Sequence, residues 1–270
     1  TFKSNITTYD SSNHNLIKLY FHNDNVYLVI RTTSNTFSIY EYNTGDDSLI
    51  VIYSNTGAIA AVLPNGNVKT WGESYNGGDS SAVSFSNVTK VYTTENNMVS
   101  LNNVGDINQW GDINFGTSPS DVTSFSALSN VSSITSNANA YAALKNDNTV
   151  VVWGNKIYGG DNQVYSAESI GTGGGLITLS SISSIYANNY AFTGIKLDGT
   201  LICWGLGLYG AYGPLYDVSG LVFTNIYATK KAFAGLTSGK RVYSWGYTIE
   251  SRLSNVQPSG SSVSFEYIEN

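Results

Sequence analysis

Five tryptophans, Trp71, Trp110, Trp153, Trp204 and Trp245, are each followed by glycine, at intervals of 39, 43, 51 and 41 residues. Such an interval is the length of one supersecondary unit. The register around each Trp is tighter than the interval. Nineteen residues before it stands an aliphatic side chain (Ile52, Val91, Ile134, Ile185, Ile226), and nine before stands another (Val62, Leu101, Leu144, Ile195, Leu236). Three before stands a third (Val68, Ile107, Val150, Leu201, Val242). A chain written this way repeats one small unit that cannot bury its apolar face alone, so successive units must stack.

Between the second and third slots lies a turn dipeptide: Asn65-Gly66, Val104-Gly105, Asp147-Asn148, Asp198-Gly199 and Ser238-Gly239. Most suit a type I′ hairpin, in which both central residues take positive φ. Each unit therefore reads as strand, strand, tight turn and a strand ending in Trp-Gly, often followed by an outer strand such as Val83-Ser84-Phe85. Four short antiparallel strands per unit, repeated, predict an all-β propeller in a single domain spanning 1–270. Residues 4–19 echo 86–101, and Asp24-Asn25 then matches Asp147-Asn148, which puts Ile30 in the Trp slot of a worn first unit. Six units result, at about 1–42, 43–82, 83–125, 126–176, 177–220 and 221–270. The last residues, VSFEYIEN (263–270), resemble 83–88 and would pair with the N-terminus to close the ring, removing exposed edges. Seven blades result if the two ends form a blade of their own.

The composition narrows the function classes. Hydrophobic residues make up 41% of the chain and charged residues 12%, so a core is available and disorder is not expected. The net charge is −6 with thirteen Lys and Arg spread along the chain, which argues against a nucleic-acid surface. No apolar run reaches the length of a membrane span. The chain opens at Thr1 without a leader segment, as expected of a processed product. One cysteine, Cys203, sits inside an apolar strand and reads as a buried, inert thiol. Two histidines, His14 and His22, cannot build a three-His zinc site and read as turn residues. Sequons stand at Asn5, Asn87 and Asn130, and matter only in a glycosylating pathway. No metal or cofactor is expected.

The pattern of an aliphatic residue and Lys, a turn, and a strand closing in Trp-Gly before a Gly-rich stretch resembles the RCC1 repeat, best in AYAALKNDNTVVVWGNKIYGG (140–160). The short period is similar to that of the secreted bacterial branch typified by the β-lactamase inhibitor BLIP-II. The resemblance implies a propeller and, by analogy, either nucleotide exchange on a small GTPase or inhibition of a secreted enzyme. The chain departs from both in its unit count, since those propellers have seven blades.

A residue repeated in every unit holds the scaffold, so binding residues are sought where the units differ. The Trp slot reads as packing, as do Gly77, Gly116, Gly159 and Gly210, six residues after their Trp, and the aromatic that often precedes them (Phe115, Tyr158, Tyr209). The unit after Trp153 is long through 163–178, where Tyr165 and Glu168 join the candidate set; its GTGGG lacks the lysine of a phosphate loop. The stretch GLGLYGAYGPLYD (205–217) carries Tyr209, Tyr212 and Tyr216 among glycines, as antibody paratopes carry theirs. Asp79 and Asp161, in a recurring Gly-Gly-Asp, read as turn termini rather than a catalytic pair. No nucleophile elbow or positioned His points to catalysis. The expectation is a non-enzymatic module that binds a protein, with a glycan as the alternative, in an extracellular, cell-surface or virion setting.

Overall fold

The computed structural model describes residues 14–22, 25–32, 37–43, 51–112, 128–165, 177–214 and 217–247, with backbone only for residues up to 43 and at Tyr165. The chain divides into two compact units: Thr1–Asn103 with Asn108–Ile113, and Val104–Ile107 with Asn114–Asn270. The first holds a sheet of β1 (His14–His22), β2 (Asn25–Thr32) and β3 (Phe37–Asn43) and a sheet of β4 (Val51–Ser54), β5 (Ala58–Val62) and β6 (Val68–Gly72). Its third sheet is β7 (Val88–Thr93), β8 (Asn97–Asn102) and, except for Ile107, β9 (Ile107–Gly111). The second unit holds β10 (Val131–Ser136), β11 (Ala140–Lys145) and β12 (Val150–Gly154) as one sheet. Next come β13 (Val164–Tyr165), β14 (Ile182–Ala187), β15 (Ala191–Lys196) and β16 (Leu201–Leu206), then β17 (Phe223–Ala228), β18 (Ala232–Thr237) and β19 (Val242–Gly246).

Four antiparallel strands per unit are not found among the described residues. Five sheets have three strands, and the fourth strand of the remaining sheet, β13, runs parallel to β16, with Val164 opposite Gly205. Residues 83–85 form no strand. Val83 and Phe85 instead pack on the core, Phe85 edge-on to Trp110 at 5.2 Å, while Val83 N–H donates to Ser80 O and Asn108 Nδ2 to Ser84 O. Ile30 is not in a Trp slot either. It lies on the central strand β2, between Leu16 and Ser38, because His22 pairs with Asn25 and the chain turns after β1. His14 and His22 are the ends of that strand rather than turn residues. Residues 263–270, assigned to closure, lie outside the described residues.

The hairpin turns also differ from type I′. Gly66, Gly105, Asn148 and Gly199 have φ of 76°, 88°, 63° and 80°, while Asn65, Asp147 and Asp198 before them are not in the positive region. Each turn closes over four residues, as where Gly199 N–H donates to Lys196 O at 2.9 Å. This is the geometry of a type I turn followed by one left-handed residue. The residue before it fixes the turn by an Asx bond: Asp198 Oδ1 accepts from Thr200 N–H at 2.9 Å, as Asp147 does from Thr149 and Asn65 from Asn67. In the last sheet the left-handed residue is Lys240 (φ 59°), so Ser238-Gly239 lies one position before the slot assigned to it.

Within each unit, neighbouring sheets share a core. Ala140, Ala142, Leu144, Val150 and Val152 of one sheet meet Ile182, Phe192, Ile202 and Trp204 of the next in a single core. The same arrangement joins Ala58, Ala60, Val62 and Val68 to Val88, Val91, Met98 and Trp110, and Ala191 and Ile195 to Phe223, Phe233 and Trp245. Trp153 and Trp204 are wholly buried, Trp110 and Trp245 nearly so, and Trp71 is half-buried. Each later Trp stacks on the aromatic ring opposite it across the hairpin: Tyr141 on Trp153, Phe192 on Trp204 and Phe233 on Trp245.

The glycines six residues after Trp71, Trp153 and Trp204 are required by the following sheet. At Gly159 (φ 96°) a Cβ would lie 2.7 Å from the Phe192 ring and 3.1 Å from Trp204. Within each unit sheets are also joined through the backbone, since Val88, Ile182 and Phe223 donate to the turn carbonyls of Gly66, Asn148 and Gly199, and Val131 donates likewise to Gly105. Just past each of these residues the first strand bulges around a hydroxyl residue. Thr89, Ser132, Ser183 and Thr224 donate to the carbonyls of Leu101, Leu144, Ile195 and Leu236.

Candidate functional site

In every sheet from β4 onward, the first–second strand connection and the segment after Trp-Gly meet at one end of the sheet. Glu73 N–H donates to Gly57 O, Asn155 to Asn139 and Leu206 to Tyr190. A repeated side-chain clasp holds this rim. Asn188 Oδ1 accepts from Tyr190 and Ala191 N–H, and its Nδ2 donates to Tyr209 O at 2.6 Å. Asn137 bonds Asn139 N–H and Tyr158 O likewise, and Asn55 bonds Gly57 and Ala58 N–H and Asn76 O. Thr229 takes the accepting half of the role toward Lys231 and Ala232 N–H. Sequence reasoning missed the clasp, although the signal is plain: Asn or Thr stands 16 residues before every Trp, at Asn55, Thr94, Asn137, Asn188 and Thr229.

In the second unit this rim carries a row of tyrosines from successive elements. Tyr158 lies 5.5 Å from Tyr190, Tyr190 lies 4.3 Å from Tyr209, and Tyr209 stacks on Tyr247 at 5.2 Å and 15°. The Lys231 ammonium sits 5.0 Å over the Tyr247 ring and 5.8 Å from Tyr209. All five side chains are half-buried. Their slots are occupied differently elsewhere: those of Tyr190 and Lys231 hold Gly57, Asn96 and Asn139, and that of Tyr247 holds Glu73, Asp112, Asn155 and Leu206. Scaffold packing therefore does not demand Tyr190, Lys231 or Tyr247, whereas Tyr158 and Tyr209 share a slot that Asn76 and Phe115 fill elsewhere.

The rim of the first unit has another character. The Tyr75 hydroxyl donates to the buried Asp112 carboxylate at 2.5 Å, and that bond raises the Tyr75 phenol above its ordinary value. Asn76 Nδ2 reaches Thr56 Oγ1, Glu95 O and Asn96 Oδ1. This rim is a polar network with acidic neighbours rather than an aromatic row.

Of the residues the sequence singled out, Tyr209 is in the row. Tyr212 is 50% exposed and sets its ring against Gly207, where a Cβ would fall 2.2 Å from it. Tyr216 and Glu168 lie outside the described residues, as does the side chain of Tyr165. Tyr158, read from sequence as scaffold, belongs to the row, and Tyr190, Tyr247 and Lys231 were not singled out. Cys203 packs its sulfur 3.4 Å from Thr193 Oγ1, and burial pushes the thiol up to about 11. Asp79 accepts from Ser81 N–H at 2.9 Å as a turn residue, and that bond holds its carboxyl below the ordinary range.

Two of the sequons have a structural account. Asn87 and Asn130 are the left-handed residues before the bulge (φ 50° and 60°), a conformation Asn tolerates. The hydroxyls of Thr89 and Ser132 close the bulge. Among the described residues, no group of three His, Cys, Asp or Glu could hold a metal, and no helix is long and apolar enough to cross a membrane.

No family model and no curated protein matches the chain. Solved structures do. Yeast RCC1 (Prp20) bound to Kap60 superposes with a TM-score of 0.51 at 16% identity, over 86% of this chain and 70% of that one. Prp20p from Saccharomyces cerevisiae, described with its binding properties to Gsp1p and histones, gives 0.50 at 15%, over 86% and 72%. The ectodomain of the receptor kinase CR4 from Physcomitrella patens gives 0.49 at 18%, and the chain spans 65% of its length while 88% of the chain is covered. The likeness to Prp20 shows an all-β fold of the RCC1-like propeller type.

Proposed function

We propose that the chain is a non-enzymatic interaction module that binds a macromolecular partner, a protein before a glycan, through the tyrosine rim of its second unit. One observation carries the reading: Tyr158, Tyr190, Tyr209 and Tyr247 form a half-exposed row, and the slots of Tyr190 and Tyr247 hold Gly, Asn, Lys, Leu or acidic residues in other sheets. Tyrosines held in place by neighbours contribute large amphipathic contacts at low entropic cost, and such residues are common interface hot spots. Tyr212, exposed on the same Gly-rich segment as Tyr209, extends the surface. Prp20, whose fold is similar, is itself a protein with protein partners, which supports the class of function by analogy of fold.

Nucleotide exchange and inhibition of a secreted enzyme stand behind this reading, each carried by fold or repeat period alone. Six blades, one for each sheet, and an extracellular or surface setting read from the Lys-poor composition belong to the same proposal. The test is a protein and glycan microarray probed with the wild-type chain and a Tyr209→Ala/Tyr212→Ala variant of native circular dichroism. At least one binder should lose about tenfold or more in affinity, as truncation of hot spots does. Binders all insensitive to the substitution would refute the proposal.

A further inference from the structure

The described carboxylates of the second unit are sorted toward the hairpin-turn end, where they accompany Lys145 and Lys196, while the basic side chains of the tyrosine rim stand largely without them. In the second unit Lys156 is exposed two residues before Tyr158, Lys230 is exposed, and Lys231 is half-buried against Tyr209 and Tyr247. The main chain of Lys230 lies against the rim, its carbonyl accepting from Asn189 N–H at 3.2 Å. Apart from Asp161, the described carboxylates of the unit fall elsewhere. Asp147 and Asp198 sit in hairpin turns at the far end of the strands, and Asp217 is engaged by Ser219 N–H. Asp161, half-buried in the Gly-Gly-Asp turn, is the nearest in sequence to the row. In the first unit the corresponding segments carry Glu73, Glu95 and Asp112. A rim with three lysines therefore stands on a chain of net charge −6.

We infer that this rim takes an acidic segment of a partner protein, its carboxylates meeting Lys156, Lys230 and Lys231 while the tyrosine hydroxyls and ring edges cover its backbone. The inference rests on the binding role proposed above. The rings decide between a peptide and a sugar. Tyr209, in the middle of the row, has Tyr190 and Tyr247 against it, and Lys231 lies over Tyr247, so the centre of the row offers no open ring face on which a pyranose would stack. What remains is a line of ring edges, which carry the positive part of the ring quadrupole, and phenolic O–H groups. These suit backbone carbonyls and carboxylates. Charge complementarity of this kind sets partner choice and association rate, and it weakens with salt.

The experiment uses the whole chain and fluorescein-labelled peptides of one length: a Glu/Gly/Ser peptide, its Gln counterpart and its Lys counterpart, with a heparin oligosaccharide as the other class of anion. Binding is read by anisotropy at low and moderate salt. The Glu peptide should bind in preference to the others, and added salt should weaken it. Lys230→Gln/Lys231→Gln should reduce that affinity about tenfold, while Lys145→Gln/Lys196→Gln at the opposite rim should leave it unchanged. Equal binding of the Glu and Gln peptides, equal loss in both lysine variants, stronger binding of heparin, or no peptide binding would each overturn the inference. Binding that depends on Tyr209 but not on charge would overturn it and leave the proposed interaction surface standing.

Discussion

Replacing Trp204 by alanine tests whether the tryptophans hold consecutive sheets together. The ring is wholly buried, stacked on Phe192 at 5.3 Å and 13°, in a core shared with Ala142, Leu144 and Val152 of the preceding sheet. Burying such a ring removes about 150–250 Å² from water, worth roughly 4–6 kcal/mol at ~25 cal/mol per Å² as an upper bound. Large-to-small replacements in packed cores cost about 3–5 kcal/mol, so that range is expected for Trp204→Ala. Trp71 occupies the same slot but is half-buried, and Trp71→Ala should cost about half as much or less. Urea denaturation followed by far-ultraviolet circular dichroism measures both. Equal costs for the two would refute the reasoning, because the slot and not its burial would then set the energy.

Lys240 holds a left-handed conformation (φ 59°) that a side chain disfavours by about 1–2 kcal/mol, so Lys240→Gly should raise the urea midpoint, while an unchanged or lower one would contradict the strain. The Cys203 thiol, pushed up to about 11 by burial, should resist aromatic disulfide reagents at pH 8 until the protein is denatured; fast labelling of the native protein would place the sulfur at the surface. Asp147 and Asp198 lie below their ordinary 3.8, chiefly through the hydroxyls of Thr149 and Thr200. Their folded values are depressed, so their contribution is present above pH 3.8 and is lost as the pH falls through the folded values. Asp147→Asn/Asp198→Asn should therefore flatten the acid limb of the stability profile, and an acid limb of unchanged steepness would contradict the assignment.

The fold was legible because its determinants are local and repeated. The three aliphatic slots and Trp-Gly mark the strand pairs, and the glycine six residues after Trp71, Trp153 and Trp204 marks the contact with the next sheet. The first sheet was misread because it lacks Trp-Gly and its strands are longer, nine, eight and seven residues, so an alignment on turn residues placed Ile30 one strand too late. The turns were misjudged because Asn-Gly suits two geometries, and the Asx bond to the residue two positions on decides between them. The tyrosine row was half-legible. Tyr209 drew notice from its glycine-rich surroundings, but Tyr190, Tyr247 and Lys231 meet it only through the stacking of sheets. Aligning the units slot by slot would have exposed them, since Tyr190 and Lys231 share a slot that other units give to Gly or Asn.

The central claim is that the rim exists for binding and not for stability. Tyr190→Ser/Tyr209→Ser removes the middle of the row and leaves the Asn188 clasp, whose partners are main-chain groups. Melting temperature and affinity for a microarray-identified binder, measured on the same preparation, test the claim directly. The account predicts a loss in affinity of about thirtyfold or more, as for a pair of hot-spot residues, with a melting temperature lowered by no more than about 4 °C. Full affinity with a clearly lowered melting temperature would make the row a structural seam and contradict the account.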